Sequence, residues 1–281
     1  DARGEHWSTL GLGAHPNGFL VAIEHPHGAA DATGLGATAR DAFHGTTDTV
    51  RVDLGPQARL DVRISDPAPW PRRALGGSSY FQAVPALNQY WHPWLLGGTA
   101  HGTATLDGET WSLDGASVYA EKNWGKGGFP DAWWWGQAQG FDSDPRVCVA
   151  FAGGVVTAGP LRTEVTAVVV RLPDGRMLRL GNPGLSPVAA AVHDDMWHLR
   201  GRGYGWTVEI EGRAPLAAAH VLPVPQHVVA EQIRVDHPLR QGRQIEAGLE
   251  SQLRVQLRLF VRRQMGAHAG RAVAAPLGTP G

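Results

Sequence analysis

The stretch Val165-Thr-Ala-Val-Val-Val-Arg-Leu-Pro-Asp-Gly-Arg-Met-Leu-Arg-Leu180 decides the fold class. Its first six residues are β-branched or small, a composition that packs well on a pleated surface and loses side-chain freedom in a helix. Pro173-Asp-Gly175 then sets a tight turn. Proline fixes φ, aspartate bonds its own backbone, and glycine takes positive φ without a clash. In Met177 to Leu180 two leucines alternate with other side chains, the period of a strand. The segment therefore predicts an antiparallel hairpin.

The same grammar extends in both directions. Phe19–Ile23, Val50–Leu54, Leu60–Ile64, Thr103–Leu106, Val147–Phe151, Trp206–Glu211 and Leu253–Leu259 are short runs rich in β-branched residues. Pro16-Asn-Gly18 and Asp107-Gly108 supply further turn signals. With 37 Gly and 20 Pro, the chain is punctuated too often for a helical bundle. Only Pro225 to Glu231 suggests a helical turn or two. The expected class is mainly β and antiparallel, as sandwiches or barrels.

Composition narrows the function classes. The chain has 281 residues, 43% hydrophobic and 18% charged, with formal net charge −1. A core is affordable and a disordered chain is excluded. The neutral balance gives no electrostatic footprint for nucleic acid or an acidic membrane. No run reaches the roughly 18–20 apolar residues of a membrane span. The sequence begins at Asp1, which leaves a removed leader open. A single cysteine, Cys148, excludes an internal disulfide framework or a thiolate zinc cluster. It lies in an apolar strand and reads as packing.

The length fits one large or two ordinary domains of roughly 100–200 residues. An internal echo favours two. Trp7, a glycine turn and Val21-Ala-Ile23 return as Trp134, Gly136, a turn and Val149-Ala-Phe151. The expected domains are 1–127 and 128–281, joined at the Gly-rich stretch 125–130.

Two biases converge on one place. Eight of the eleven tryptophans lie between Trp70 and Trp135. Of the 25 basic residues only Lys122 and Lys126 are lysines, four positions apart. The arginine excess looks like GC-rich coding and points to a bacterial source, so a retained lysine marks a position where a compact ammonium matters. Alternation puts Tyr119, Glu121 and Asn123 on one strand face, with Lys122 and Trp124 on the other. Beyond the glycines, Trp133, Trp135, Gln137 and Gln139 share a face, with Trp134 opposite. Such a wall suits a large apolar or aromatic ligand held by few hydrogen bonds, or a carbocation, which an indole face attracts by about 0.5–2 kcal/mol.

These residues carry a resemblance. His92-Pro-Trp94, Gly97-Gly98, Leu113-Asp-Gly-Ala116, Tyr119-Ala-Glu-Lys-Asn-Trp-Gly125, Gly127-Gly-Phe-Pro130, Trp133-Trp-Trp135 and Gln137 resemble the tocopherol cyclase family. Fainter matches follow at Ala152-Gly-Gly154, Asp174-Gly175, Trp197 and Tyr204-Gly-Trp206. About half the chain is covered well; residues 1–70 and those beyond Pro225 match loosely. The resemblance implies two consecutive lipocalin-like barrels and an intramolecular lyase or isomerase of the kind used in vitamin E biosynthesis. An acid protonates the side-chain alkene of a prenylated quinol, and the phenol oxygen captures the cation to close a chromanol ring. It implies no cofactor and no metal. Such a site needs a proton donor in an apolar pocket, for which Glu121 is the first candidate and Asp131 the second. Trp124, Trp133, Trp134 and Trp135 would face the cation, Tyr119, Asn123 or Gln137 would orient the phenol, and Trp94 and His92 are further substrate-binding candidates, His92 as a supporting partner of the motif. The partner is then a hydrophobic small molecule, in the cytoplasm, with membrane contact and oligomeric state left open.

Plainer readings stand beside these. Glu121 and Lys122 also fit a structural ion pair, and each Trp also fits a core. The same pockets would serve a non-catalytic carrier of terpenoids, and a Trp-rich carbohydrate-binding protein is a third possibility. His25-Pro-His27 has metal-like spacing in a loop-like setting, and His193-Asp-Asp195 more simply starts a hairpin. His101 lies near enough to the motif to support it. Gly11-Leu-Gly13 and Gly34-Leu-Gly36 lack a third glycine, and Ser78-Ser79 has no nucleophile elbow around it.

Overall fold

The computed structural model describes residues 7–14, 19–31, 36–71, 76–84, 87–125, 130, 132–141, 144–193 and 196–213, and the backbone of 256–263. In chain order the strands begin with β1 (Ser8–Ala14), β2 (Phe19–His25), β3 (Ala29–Ala30), β4 (Ala37–Ala39), β5 (Phe43–Gly45), β6 (Thr49–Asp53) and β7 (Ala58–Ser65). A 3-10 turn at Ser79–Ala83 precedes β8 (Tyr90–Leu95), β9 (Thr99–Leu106), β10 (Glu109–Ser112), β11 (Ala116–Ser117) and β12 (Ala120–Trp124). Then come β13 (Trp133–Phe141), β14 (Asp144–Ala158), β15 (Leu161–Arg171) and β16 (Met177–Leu180). The last are β17 (Val188–His193), β18 (Met196–Gly203), β19 (Trp206–Arg213) and β20 (Gln256–Arg263). The protein is mainly β, as the turn spacing predicts, and each run of strand composition found in the described residues lies on a strand. Pro16–Gly18, Leu253–Val255 and Pro225–Glu231 lie outside the described residues. No described helix is long and apolar enough to cross a membrane.

The described residues form two compact units, one within 1–69 and 97–119, the other within 70–96 and from 120 onward. In the first, one sheet runs β10-β9-β7-β6-β5-β4-β3, with β11 also on β9, and β1 pairs β2. On β7, Ala58, Val62 and Ile64 are buried while Arg59, Asp61 and Arg63 face solvent. Asp107 and Gly108 both take positive φ, +53° and +82°, which is what a two-residue turn between twisted strands requires.

The second unit has two four-stranded sheets, β13-β14-β15-β16 and β17-β18-β19-β20, and the pair β8–β12. Val149, Phe151, Val168, Val170, Leu178 and Leu180 from the first sheet pack with Trp197, Leu199, Val208 and Ile210 from the second. Cys148 is buried and its thiol is pushed up to about 12, chiefly by burial and offset in part by Arg171. It is packing, as its apolar strand implied.

Barrel closure is a correction to the expected fold. Among the described residues every sheet is an open path, with no strand joining its two ends. Closure needs end strands long enough to share a ladder at a consistent stagger. Among the described residues the end strands do not meet: β10 and β3, β13 and β16, and β17 and β20 are not paired with one another.

Phe151 is 1% exposed at the centre of this core. Phe151→Ala is expected to cost about 3–5 kcal/mol, read as a lower urea midpoint with an unchanged slope.

Candidate functional site

Period-two alternation splits the β13–β16 sheet. Trp134, Phe151 and Val168 turn to the core. The intervening positions pair across the sheet as Trp133–Gly154–Val165 and Trp135–Ala152–Ala167. All six line a cavity with about 960 Å³ of empty space, its mouth included. Because β14 and β15 offer only Gly, Ala and Val where this face lines the cavity, the indoles of β13 stand as a wall above a shallow floor. Gly181, just after β16, continues that floor. Its φ is +123° and a Cβ there would lie 2.6 Å from the Thr166 carbonyl, so glycine is required.

The β8–β12 pair brings in the polar groups. Its register sets Trp91 opposite Asn123, His92 opposite Lys122 and Tyr90 opposite Trp124. Trp91, Glu121 and Asn123 line the cavity. On the other side, Trp124 stacks on Tyr90 at 5.4 Å, and the Lys122 ammonium lies 5.4 Å from the Trp124 ring. The register slips by one residue between Ala120 and Lys122, with the extra residue on β8 at Pro93–Trp94, and Tyr119 precedes β12 outside any strand.

Glu121 is the hub. The Trp91 indole N–H donates to its Oε2 at 2.7 Å, and the Trp135 indole N–H donates to the same oxygen at 2.6 Å. The Asn123 amide donates to Oε1 at 2.9 Å. Two indoles thus fix the carboxyl from separate strands, β8 and β13, and β12 presents it between them.

The 3-10 turn closes one side with Ser78, Ser79 and Phe81. It is tied to β8: the Trp91 N–H donates to Ser78 Oγ at 2.7 Å, and the Ser78 N–H donates to the Trp91 carbonyl at 3.0 Å. Ser79 is 2% exposed with φ +55°, a strained conformation for a residue with a Cβ. Its Oγ is buried with no hydrogen-bond partner, and the same holds for Trp134 Nε1 and Arg179 Nη1. All three residues line the cavity.

Of the residues expected from sequence, the structure gathers Glu121, Asn123, Trp133, Trp134 and Trp135 around this cavity. Tyr119, Trp124, Gln137, Trp94 and His92 are not among its lining residues. Trp124 lies on the opposite face and is 39% exposed; Gln137 is buried further along β13, opposite Ala150. Asp131 and Lys126 lie outside the described residues. Trp91, Ser79 and Arg179 were not anticipated. Trp91 adjoins the quoted motif and carries the same indole signal, whereas Arg179 sits in an ordinary alternating strand with nothing local to mark it. His25 and His27 contact one another edge to face, and His101 bonds Ser65, but no described group of three or more His, Cys, Asp or Glu is placed to hold a metal.

The family described as Tocopherol cyclase-like matches residues 19–258. The chain belongs to the tocopherol cyclase-like family. All of the described cavity falls inside that match. A probable chloroplastic tocopherol cyclase of Oryza sativa subsp. japonica is 28% identical over 162 residues, which is 52% of this chain and 33% of that protein. A chloroplastic tocopherol cyclase of Zea mays is 33% identical over 88 residues, 31% of this chain and 18% of that protein. The chain thus spans a third or less of these curated relatives. No solved structure matches the sequence.

His92, behind the cavity wall, lies edge-on to Trp70 at 5.5 Å. Burial, and then the Lys122 charge, hold its pKa below the usual imidazole value. Folding therefore favours neutral His92. Its contribution is fully present above about pH 6.5, the unfolded value, and is lost as pH falls through the lower folded value. Urea midpoints between pH 7.5 and pH 5 are expected to fall less in His92→Gln than in the native protein.

Proposed function

We propose that the cavity closes a chromanol-type ring on a prenylated phenol or quinol by acid-initiated carbocation chemistry. The observation that carries the reading is Glu121, a carboxyl held by two indole N–H groups and an amide on the wall of a tryptophan-rich cavity. Membership of the cyclase-like family supports the reaction class.

In this mechanism Glu121 starts protonated. Its proton passes to the less substituted carbon of the prenyl alkene, whose π pair forms the new C–H bond. A tertiary cation is left on the neighbouring carbon. The phenol oxygen gives a lone pair to that carbon, a C–O bond closes the ring, and the phenolic proton returns to Glu121. No atom enters or leaves, so the reaction is an isomerisation and consumes no co-reactant. The donors on Glu121 matter most in the middle of the cycle, when the carboxylate has released its proton and Trp91, Trp135 and Asn123 hold the charge. Indole faces of Trp133 and Trp135 offer the cation about 0.5–2 kcal/mol each where water is excluded. The small floor residues leave room for the aromatic head. Asp131 is the second candidate acid.

The test is chromanol formation from a prenylated methylquinol in detergent, followed by chromatography. Glu121→Gln keeps the shape and accepts the same indole bonds at its carbonyl oxygen, yet has no acid proton. A loss of about 10²–10⁴-fold in kcat is expected, with quenching of tryptophan fluorescence by the quinol retained. Full activity in the variant would remove Glu121 from the role. Quenching without turnover in the native protein would make the chain a non-catalytic, lipocalin-like carrier of apolar ligands.

A further inference from the structure

The two oxygens of Glu121 are not equivalent. Both indole N–H groups donate to Oε2, from Trp91 at 2.7 Å and from Trp135 at 2.6 Å. An indole nitrogen only donates, and a carboxyl oxygen that carries a proton keeps one in-plane lone pair to accept with. Two bonds as short as these use both lone pairs of Oε2, so a proton on Glu121 sits on Oε1. Turning the carboxyl by half a rotation would set the hydroxyl against two N–H groups, of which it can accept only one. The indoles themselves are held. Trp91 is buried, and its main chain is tied to Ser78 in both directions. Trp135 is fixed in the β13 ladder opposite Ala152. Oε1 lies at the other corner, where the Asn123 amide donates to it at 2.9 Å. Asn123 follows Glu121 by two residues on β12, and strand alternation places both on one face. Glu121 is half-buried, Asn123 is exposed, and both line the cavity.

We infer that Oε1 is the oxygen that delivers the proton and takes it back, and that Asn123 is its positioning residue. This rests on the acid role proposed for Glu121 and assigns the atom that performs it. While Oε1 is a hydroxyl, the Asn123 N–H bonds it weakly. As the proton leaves, negative charge grows on that same oxygen and the bond strengthens. An interaction that gains strength on the way to the transition state raises kcat and does little for binding. Asn123 thus acts through the carboxyl, where the sequence alone put it on the phenol. Trp91 and Trp135 have a different task. They keep Oε2 as the carbonyl end of the acid, and so keep the hydroxyl at the Asn123 corner.

Infrared spectroscopy reads the assignment without substrate. The C=O stretch of protonated Glu121 is identified by its loss in Glu121→Gln, and it moves to higher wavenumber when a donor is removed from the carbonyl oxygen. With the proton on Oε1, that carbonyl oxygen is Oε2. Trp91→Phe should then raise the band, and Asn123→Leu, at an exposed position, should leave it in place. Trp135→Phe removes the other donor and gives the same reading if Trp91→Phe does not fold. The reverse pattern would put the proton on Oε2 and overturn the inference, as would a band that moves in both variants or in neither. Chromanol formation by the native protein alongside such a result would leave the cyclase reading standing. In turnover, Asn123→Leu should lower kcat by about 10- to 100-fold, the scale of one hydrogen bond to a charged group, with KM nearly unchanged. An unchanged kcat, or a loss confined to KM, would overturn the positioning role. Absence of an acid band at every pH where the native protein is folded would remove the acid reading and this inference together.

Discussion

A β-sheet has two faces, and in the β13–β16 sheet only one of them is filled with large side chains. Phe151, Leu180 and the valines of β14 and β15 bury one face against the β17–β20 sheet. The other carries Ala152, Gly154, Ala167 and Gly181 where a closed core would carry leucine or isoleucine. Everything at the site follows from that asymmetry. The filled face contributes apolar burial at about 25 cal/mol per Å², which anchors the sheet without the other face having to be filled. The tryptophans of β13 then have no neighbours tall enough to cover them, and their rings become a wall.

Polar groups in such a cavity are few, and their treatment differs. Glu121 is satisfied by groups that are themselves part of the wall, so each indole serves as apolar surface and as donor. Removing one of them would loosen the carboxyl and open the wall together. Arg179 is handled in the opposite way, with tyrosine hydroxyls beside it and one nitrogen left over.

The strands themselves were legible because period-two alternation and turn chemistry are local. Val165–Leu180 needs only its own residues to define a hairpin, and the structure has β15 and β16 there. The opposed faces of Trp133–Trp135 were legible for the same reason, as was the separation of Glu121 from Lys122 within one strand. Barrel closure was not, because it depends on whether the end strands of a sheet meet, a long-range pairing that no local pattern sets. Tyr119 lies just ahead of β12, where strand alternation does not govern it, and no sequence signal announces that boundary. Trp124 was read as cavity wall although its own alternation put it opposite Glu121; it is the stack with Tyr90 that gives it another task. Arg179 was missed for a deeper reason. What singles it out is the lack of a partner after folding, and a missing long-range contact has no local signature.

The floor of the cavity sets its depth in steps of single methyl groups. Gly181 admits no side chain, since its backbone angle and the Thr166 carbonyl both forbid one. Ala152 and Ala167 are ordinary strand positions, where a valine or a serine would be tolerated by the backbone. One pair of sites is therefore fixed by geometry or free to vary according to whether a Cβ already exists there. A lineage of such proteins could change the girth of what it accepts at two residues, with the carboxyl, the guanidinium and the sheet all left in place.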